Sequence, residues 1–229
     1  VTSPEVIPGQ LVLVRHGETA WSRAGRHTGR SDIPLTDAGE AQARATGIAL
    51  AGRHFSLVLT SPLGRARRTA ELVGHGDALV EPDLAEWDYG PVEGLTRTQV
   101  RENLGRPWSV LPGGVRVPVT ISGTADVPPE QRPAEPGPGE LVEEVAARAA
   151  RVIARIEPTL LAGEDVLLVA HGHLLRIFTT VWLDLHAEVA ERLALGTAAR
   201  CVLGYDRGVR SLEHWNVLPV LDDDTEDLG

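Results

Sequence analysis

Two short apolar runs in this chain each lead into a histidine followed by glycine. Leu11-Val12-Leu13-Val14 passes through Arg15 to His16-Gly17, and Val166-Leu167-Leu168-Val169 passes through Ala170 to His171-Gly172. Continuous apolar runs of this length read as strands buried on both faces, the mark of a parallel sheet covered by helices. In open α/β sheets ligands bind beyond the carboxyl ends of the strands. Both histidines are therefore expected at one rim, each followed by a glycine that lets a ligand come close to the backbone.

The remaining pattern fits the same plan. Leu57–Leu59 is a third apolar run. Thr36-Asp37-Ala38-Gly39-Glu40 opens an Ala-rich helix with a capping residue and acidic first-turn residues, and Gly52 marks its end. Ser61-Pro62 opens a second helix as cap and first helical residue, running to Val73. A third follows Gly139, with Val142, Val145, Ala149, Val152 and Ile156 on one stripe until Pro158 breaks it. Arg200–Tyr205 and Val209–Val217 form a hairpin turned at Asp206-Arg207-Gly208. The expected fold is a three-layer α/β/α arrangement with a mostly parallel central sheet, an antiparallel edge strand and a long Pro/Gly-rich insertion.

With 229 residues and no internal repeat, residues 1–221 are expected to form one domain. The insertion spans about 105–138 and holds eight of the 16 prolines, too many for regular structure. It is expected either as a lid over the site or as a surface excursion, with room for a short edge strand or hairpin at Val115–Ile121. Residues 222–229 form an acidic tail, expected to be disordered.

All 22 basic residues are arginine. Without lysine there is no Walker A lysine, no Schiff base, no kinase lysine and no pyridoxal-phosphate anchor. Nucleic acid is an unsuitable partner, because the basic residues are scattered and the formal net charge is −10. The single cysteine, Cys201, excludes an intrachain disulfide and a thiolate zinc site. No run approaches the ~18 apolar residues of a membrane span and no basic segment precedes an apolar stretch, so the cytoplasm is the default. The first residue is Val rather than Met, which leaves a trimmed start or a lost leader open. Trp182 and Leu185, near a helix end, are candidates for an apolar contact in a homodimer.

Two histidines in matching context point to chemistry, and the neighbouring arginines say which. Arg15 adjoins His16, and Arg65 falls in the first turn of its helix, where a cation opposes the helix dipole. That position suits an anion bound by helix N-terminus and guanidinium together. Arg67 and Arg68, on other sides of the helix, are expected to be solvated or paired.

Leu13-Val14-Arg15-His16-Gly17-Glu18-Thr19 resembles the signature of the histidine phosphatase superfamily, the phosphoglycerate-mutase-like proteins. Thr28-Gly29-Arg30-Ser31-Asp32-Ile33-Pro34-Leu35-Thr36 resembles its substrate-side loop, and Thr60-Ser61-Pro62-Leu63-Gly64-Arg65-Ala66 its second-arginine motif. Leu84-Ala85-Glu86-Trp87-Asp88-Tyr89-Gly90 resembles the segment that carries the acid. Gly139-Glu140 with Val145 and Arg148 is similar to the run before the last large helix, and Val169-Ala170-His171-Gly172-His173 to the second-histidine motif. The resemblance covers Leu11 to Leu183, interrupted by the proline-rich insertion.

The resemblance implies a metal-independent phosphatase acting on a small phosphorylated metabolite without a cofactor. His16 attacks phosphorus to give a phosphohistidine, while Arg15, Arg65 and His171 hold the equatorial oxygens. Glu86 is the general acid/base, with Asp88 as the alternative donor. Ser22, Thr28, Gly29, Tyr89 and Gly172 are expected on the substrate side. Trp87-Asp88-Tyr89-Gly90 and His173-Leu174-Leu175-Arg176 look closer to the acid phosphatase and sugar-bisphosphatase members than to the mutases. Mutases of the family commonly carry asparagine where this chain has Ser22, and an adjacent arginine pair that 105–138 lacks; Arg97, Arg106 and Arg116 are partial substitutes.

Other readings stand beside this one. Mutase-type phosphoryl transfer and a non-catalytic phosphate-binding module share the fold, although nucleophile and acid are both present. A metal hydrolase using His16, His171 and His173 is opposed by Arg15 and Arg65 and by the lack of a His-Glu-x-x-His pattern. No Gly-x-Ser-x-Gly elbow supports a serine hydrolase. His27, His54, His75, His186 and His214 match no catalytic landmark and are read as surface or structural.

Overall fold

Alternation along the first strand sets the layers. In the computed structural model, which describes residues 7–121, 123–125, 128–129 and 137–221, β1 is Leu11–Arg15. Its Leu11 and Leu13 join one apolar cluster, and Val12 and Val14 join another on the opposite face. β2 (Leu57–Thr60), β3 (Leu79–Val80), β4 (Val166–Ala170), β5 (Arg200–Asp206) and β6 (Val209–Val217) complete the sheet. Among the described residues these six strands run in the order β3-β2-β4-β1-β5-β6. β1 to β4 are parallel, whereas β5 runs antiparallel to β1, and β6 to β5. The sheet is thus mostly parallel with an antiparallel edge, as expected; two-residue β3 is too short to have left a pattern. Its side chains are half exposed at the other edge.

Helices cover both faces. α2 (Asp37–Leu50) and α3 (Gly64–Val73) pack on the Val12/Val14 side, and α6 (Val142–Leu161) and α7 (Gly172–Trp182) on the Leu11/Leu13 side. Shorter helices are α1 (Ala20–Arg23), α4 (Arg97–Leu104) and the turn α5 (Val110–Gly113). The α2 cap is as read from the sequence: Thr36 Oγ1 accepts the Gly39 N–H at 3.0 Å.

Several expectations change for tertiary reasons. α3 starts at Gly64, not Pro62, because Asp32 from a preceding loop accepts the Gly64 N–H at 2.7 Å and supplies the cap in trans. Ser61 is thereby released for a task in the site. Pro158 does not end α6, which continues to Leu161. Ile156 and Leu160 are fully buried on either side of it, and burying two such side chains, about 1.5–3 kcal/mol each, offsets the missing backbone bond.

Val115–Ile121 forms no strand. Val117 N–H bonds Val115 O and Val119 N–H bonds Val117 O, both at 2.9 Å, a tight zigzag around Pro118. Within the insertion Trp108, Val110, Leu111, Val115 and Val117 are buried in the α6/α7-side core, whereas Ile121 is exposed. Residues 130–136, most of its Pro-rich end, lie outside the described residues, as does the acidic tail at 222–229. Trp182 is fully buried, its Nε1–H on Ser211 O and its ring under Arg210 at 4.9 Å, so it cannot supply a dimer contact. Leu185 is exposed. No helix among the described residues is long and apolar enough to cross a membrane.

Candidate active site

Pairing of β1 with β4 ends on the rung Arg15 to Ala170, so the next residues, His16 and His171, leave adjacent strands side by side. Their ring centroids are 5.1 Å apart. His16 Nδ1 lies 2.7 Å from the Gly17 carbonyl, which can only accept, so the proton sits on Nδ1. Nε2 is left with its lone pair. Burial first, then Arg65 and Arg15, hold the His16 pKa well below the usual imidazole range, which keeps the ring neutral.

Ser61 Oγ accepts the Leu63 N–H at 3.2 Å and meets His171 Nε2 at 2.7 Å. Among the described residues Nε2 is the hydroxyl's one acceptor, which assigns the Ser61 proton to that contact and makes His171 Nδ1 the N–H. That atom is buried and has no hydrogen-bond partner. Burial, then Arg65 and neighbouring His16, keep this imidazole neutral as well.

The two arginines show the same pattern. Arg65 is 1 % exposed, with Nη1 on Ser31 O at 2.8 Å and Nη2 on Thr28 O and Gly29 O, both at 3.0 Å. Arg15 Nη1 donates to Leu195 O at 2.5 Å. In each, Nε is buried and unpartnered. Gly172 sits where a Cβ would come within 3.3 Å of Arg15 Nε, a contact that would make the guanidinium give by a few tenths of an ångström. Arg15 and Arg65 both act electrostatically on both histidines. Arg15 Nε, Arg65 Nε and His171 Nδ1 are thus buried without partners among the described residues, on side chains that adjoin His16 or act on it electrostatically, and of the three only Arg15 lines the His16 cavity; unmet buried donors of this kind cost about 1–3 kcal/mol each unless an acceptor joins them.

Glu86 is 8 % exposed and lines the cavity in front of His16. Its Oε1 accepts from Trp87 N and Leu174 N, both at 2.9 Å, and Oε2 from His173 N at 3.1 Å, so the N-terminus of α7 orients it. A second tier fixes the segment. Arg148 grips Glu140 at 2.8 and 2.9 Å and donates to Asp83 O and Ala85 O, while Glu140 accepts the Asp88 N–H. Asp88 is engaged elsewhere: Oδ1 takes the Gly90 N–H and Oδ2 pairs with Arg30 at 3.2 Å. It does not line the His16 cavity.

That cavity holds about 220 Å³. Of the residues expected on the substrate side, Ser22, Thr28, Tyr89 and Gly172 line it, and Gly29 does not. The Gly29 N–H turns to Glu93, a buried carboxylate that also accepts from Ser31 N at 2.9 Å. Burial pushes the Glu93 pKa up. The Thr28–Ser31 loop is therefore clamped by its carbonyls to Arg65 and by its amides to Glu93. Ser22 reaches the wall, but its hydroxyl is committed to the α1 capping box, accepting from Thr19 N at 2.9 Å and donating to Thr19 O at 3.1 Å. Tyr89 OH lies 2.5 Å from His173 Nδ1, and burial holds the phenol well above its usual range and the imidazole well below.

Sequence reasoning missed several wall residues. His27, read as surface or structural, lines the cavity, its ring edge-on to Tyr89 at 5.2 Å and to Trp108 at 5.4 Å. Arg26 and Arg176 line it too, and so does Arg97, named from the sequence as a partial substitute for the mutase arginine pair. Glu93 had a weak signal, a carboxylate between Val92 and Leu95; Arg176 stood in a quoted motif without a role, and Arg26 had no signal beyond residue type. Arg68 pairs with Glu40 and Glu71 as expected, and Arg116 is drawn off to Glu144 and Gly139 O. Among the described residues no group of three His, Cys, Asp or Glu side chains is placed to hold a metal ion.

The neutral histidines carry a pH signature. His16, His27, His171 and His173 all have folded pKa values lowered chiefly by burial. As pH falls through about 6.5 the unfolded chain takes up protons that the folded chain refuses, so stability falls on acidification, by up to about 1.4 kcal/mol per histidine per pH unit. Denaturant unfolding is expected to show about 2–5 kcal/mol less stability at pH 5.5 than at pH 7. Equal stability at the two values would mean that these rings charge in the folded state.

Similarity to known proteins agrees with this geometry. The model of the histidine phosphatase superfamily (branch 1) matches residues 11–114 and 115–218. An acid phosphatase of Mycobacterium tuberculosis is 38% identical over 205 residues, covering 89% of this chain and 90% of the relative. A sedoheptulose 1,7-bisphosphatase of Saccharomyces cerevisiae is 32% identical over 214 residues, 81% of this chain and 71% of the relative. A solved structure of an open reading frame product from Mycobacterium tuberculosis superposes with a TM-score of 0.79 at 36% identity, covering 93% and 99% of the two chains.

Proposed function

The chain belongs to the histidine phosphatase superfamily, and on that premise we propose that it is a metal-independent phosphatase working through a phosphohistidine on His16. Its phosphatase-named relatives support phosphatase activity on phosphorylated small molecules. The observation that carries the finer reading is the set of unpartnered buried donors, Arg15 Nε, Arg65 Nε and His171 Nδ1, around a histidine whose free nitrogen is Nε2. A tetrahedral dianion supplies acceptors for all three, and it is the ligand that the arginine forks favour.

In the proposed reaction His16 Nε2 attacks phosphorus in line and the ester P–O bond breaks. Glu86 gives its proton to the leaving oxygen. The Nδ1–H bond to Gly17 O offsets the positive charge that the ring acquires, while Arg15, Arg65 and His171 hold the equatorial oxygens without reorganising. Water then attacks the phosphohistidine, passing a proton to Glu86; the N–P electrons return to Nε2 and inorganic phosphate leaves. With the grip spent on the phosphoryl group, Arg26, Arg97 and Arg176 face the rest of the substrate, and Glu86 is the carboxylate among the lining residues. This favours esters with a second acidic group, a preference in keeping with the bisphosphatase among the relatives.

The test is phosphate release from sugar phosphates, sugar bisphosphates, phosphoglycerates and p-nitrophenyl phosphate in excess EDTA. Activity is expected to persist in EDTA and to rank the two-anion esters first by kcat/KM. Loss of activity in EDTA would overturn the mechanism. Interconversion of phosphoglycerates without net phosphate release would favour mutase-type transfer instead.

A further inference from the structure

An edge hairpin remote in sequence from every signature residue, and the loop that leads into it, reach the site from behind. The Leu195–Ala199 loop touches Arg15 and His16 repeatedly: Leu195 O accepts Arg15 Nη1 at 2.5 Å, Ala199 O accepts the Arg15 N–H at 3.1 Å, and the Ala198 N–H donates to His16 O at 3.1 Å. Holding Nη1 on Leu195 O fixes the guanidinium plane and so the direction of its buried, unpartnered Nε. The loop does not hold this shape unaided, since Ala198 is fully buried with φ 53°, a left-handed conformation that costs an alanine about 1–2 kcal/mol.

The outer support comes from β6. Asn216 Oδ1 accepts the Gly196 N–H at 2.7 Å, directly beside the Leu195 carbonyl. Trp215 Nε1–H donates to Ala194 O at 2.6 Å, and Thr46 Oγ1 to Ala198 O at 2.7 Å from the other side. Asn216 reaches the loop because the β5–β6 ladder shifts register between Arg200 and Val202, which re-aims a side chain. Its own φ is 56° and its N–H goes to Cys201 Sγ at 3.3 Å. Asparagine tolerates that conformation and supplies the carbonyl; aspartate does both, glycine only the first.

We propose that Asn216 is a positioning residue for phosphoryl binding, acting through the Gly196 amide and Leu195 carbonyl to fix Arg15. The inference rests on the reading that Arg15 grips the phosphoryl group.

The test compares Asn216→Gly, Asn216→Asp, Arg15→Ala and the double variant Arg15→Ala/Asn216→Gly. Readouts are kcat/KM on p-nitrophenyl phosphate, inhibition by inorganic vanadate, and Tm. Asn216→Gly is expected to lose about three- to tenfold in both kcat/KM and vanadate affinity, the scale of one buried hydrogen bond. Asn216→Asp stays within about twofold of wild type, and the double variant is no worse than Arg15→Ala, because a residue acting through another adds nothing once that other is gone. Wild-type behaviour of Asn216→Gly, or a loss that adds in full to that of Arg15→Ala, would overturn the proposal. If Arg15→Ala itself hydrolyses normally, the phosphate-grip reading fails and takes this inference with it.

Discussion

His16→Ala is expected to lower kcat by at least about 10⁴-fold with every ester, because the phosphoryl group then has no covalent acceptor and only its binding pocket remains. The substitution removes an imidazole that is neutral and held by one backbone bond, so the fold should survive it. Rapid quench with a radiolabelled ester gives the sharper reading. Wild type should trap a phosphoryl adduct that is labile in acid and stable in base, and the variant should trap none. An adduct of undiminished yield in His16→Ala would place the covalent chemistry on another residue.

Glu86→Gln is expected to cost about 10²–10⁴-fold in kcat on alkyl phosphates, the usual worth of a positioned acid/base. The effect should depend on the leaving group. p-Nitrophenolate leaves without help from an acid, so phosphorylation of His16 stays fast in the variant, while hydrolysis of the phosphohistidine still lacks its base. A burst of p-nitrophenol close to one equivalent of enzyme, followed by slow turnover, is the expected trace. Asp88→Asn should show no burst and a change of under about tenfold, since both carboxylate oxygens already serve Gly90 and Arg30 away from the His16 cavity. A burst in Asp88→Asn and not in Glu86→Gln would exchange their roles.

The strands and the two histidines were legible because they rest on local pattern: a run buried on both faces can be read from its own residues. What escaped depends on a partner far along the chain. Ser61 looked like a helix cap until Asp32 proved to supply that service, freeing its hydroxyl for His171. Pro158 looked like a stop because its cost is local, whereas the burial of Leu160 that outweighs it is tertiary. Gly29 matched a substrate-side motif by position, but the direction of its N–H is decided by Glu93, which no motif included. His27 gave no local sign, since its place in the wall comes from edge-on contact with Tyr89 and Trp108.

The strand order has a consequence for when such a chain can first act during its synthesis. β1 emerges about 150 residues ahead of its neighbours in the sheet, β4 and β5. At the usual pace of translation roughly 10 s or more separates them. Until then His16 has no second histidine beside it, and Arg15 has no loop to lean on. On the proposed function, a nascent chain is therefore expected to be inactive on phosphate esters. Activity should then report completion of the whole sheet, and a protease that removed only the last hairpin is expected to abolish it while leaving His16, Gly17 and Glu86 in the remaining polypeptide.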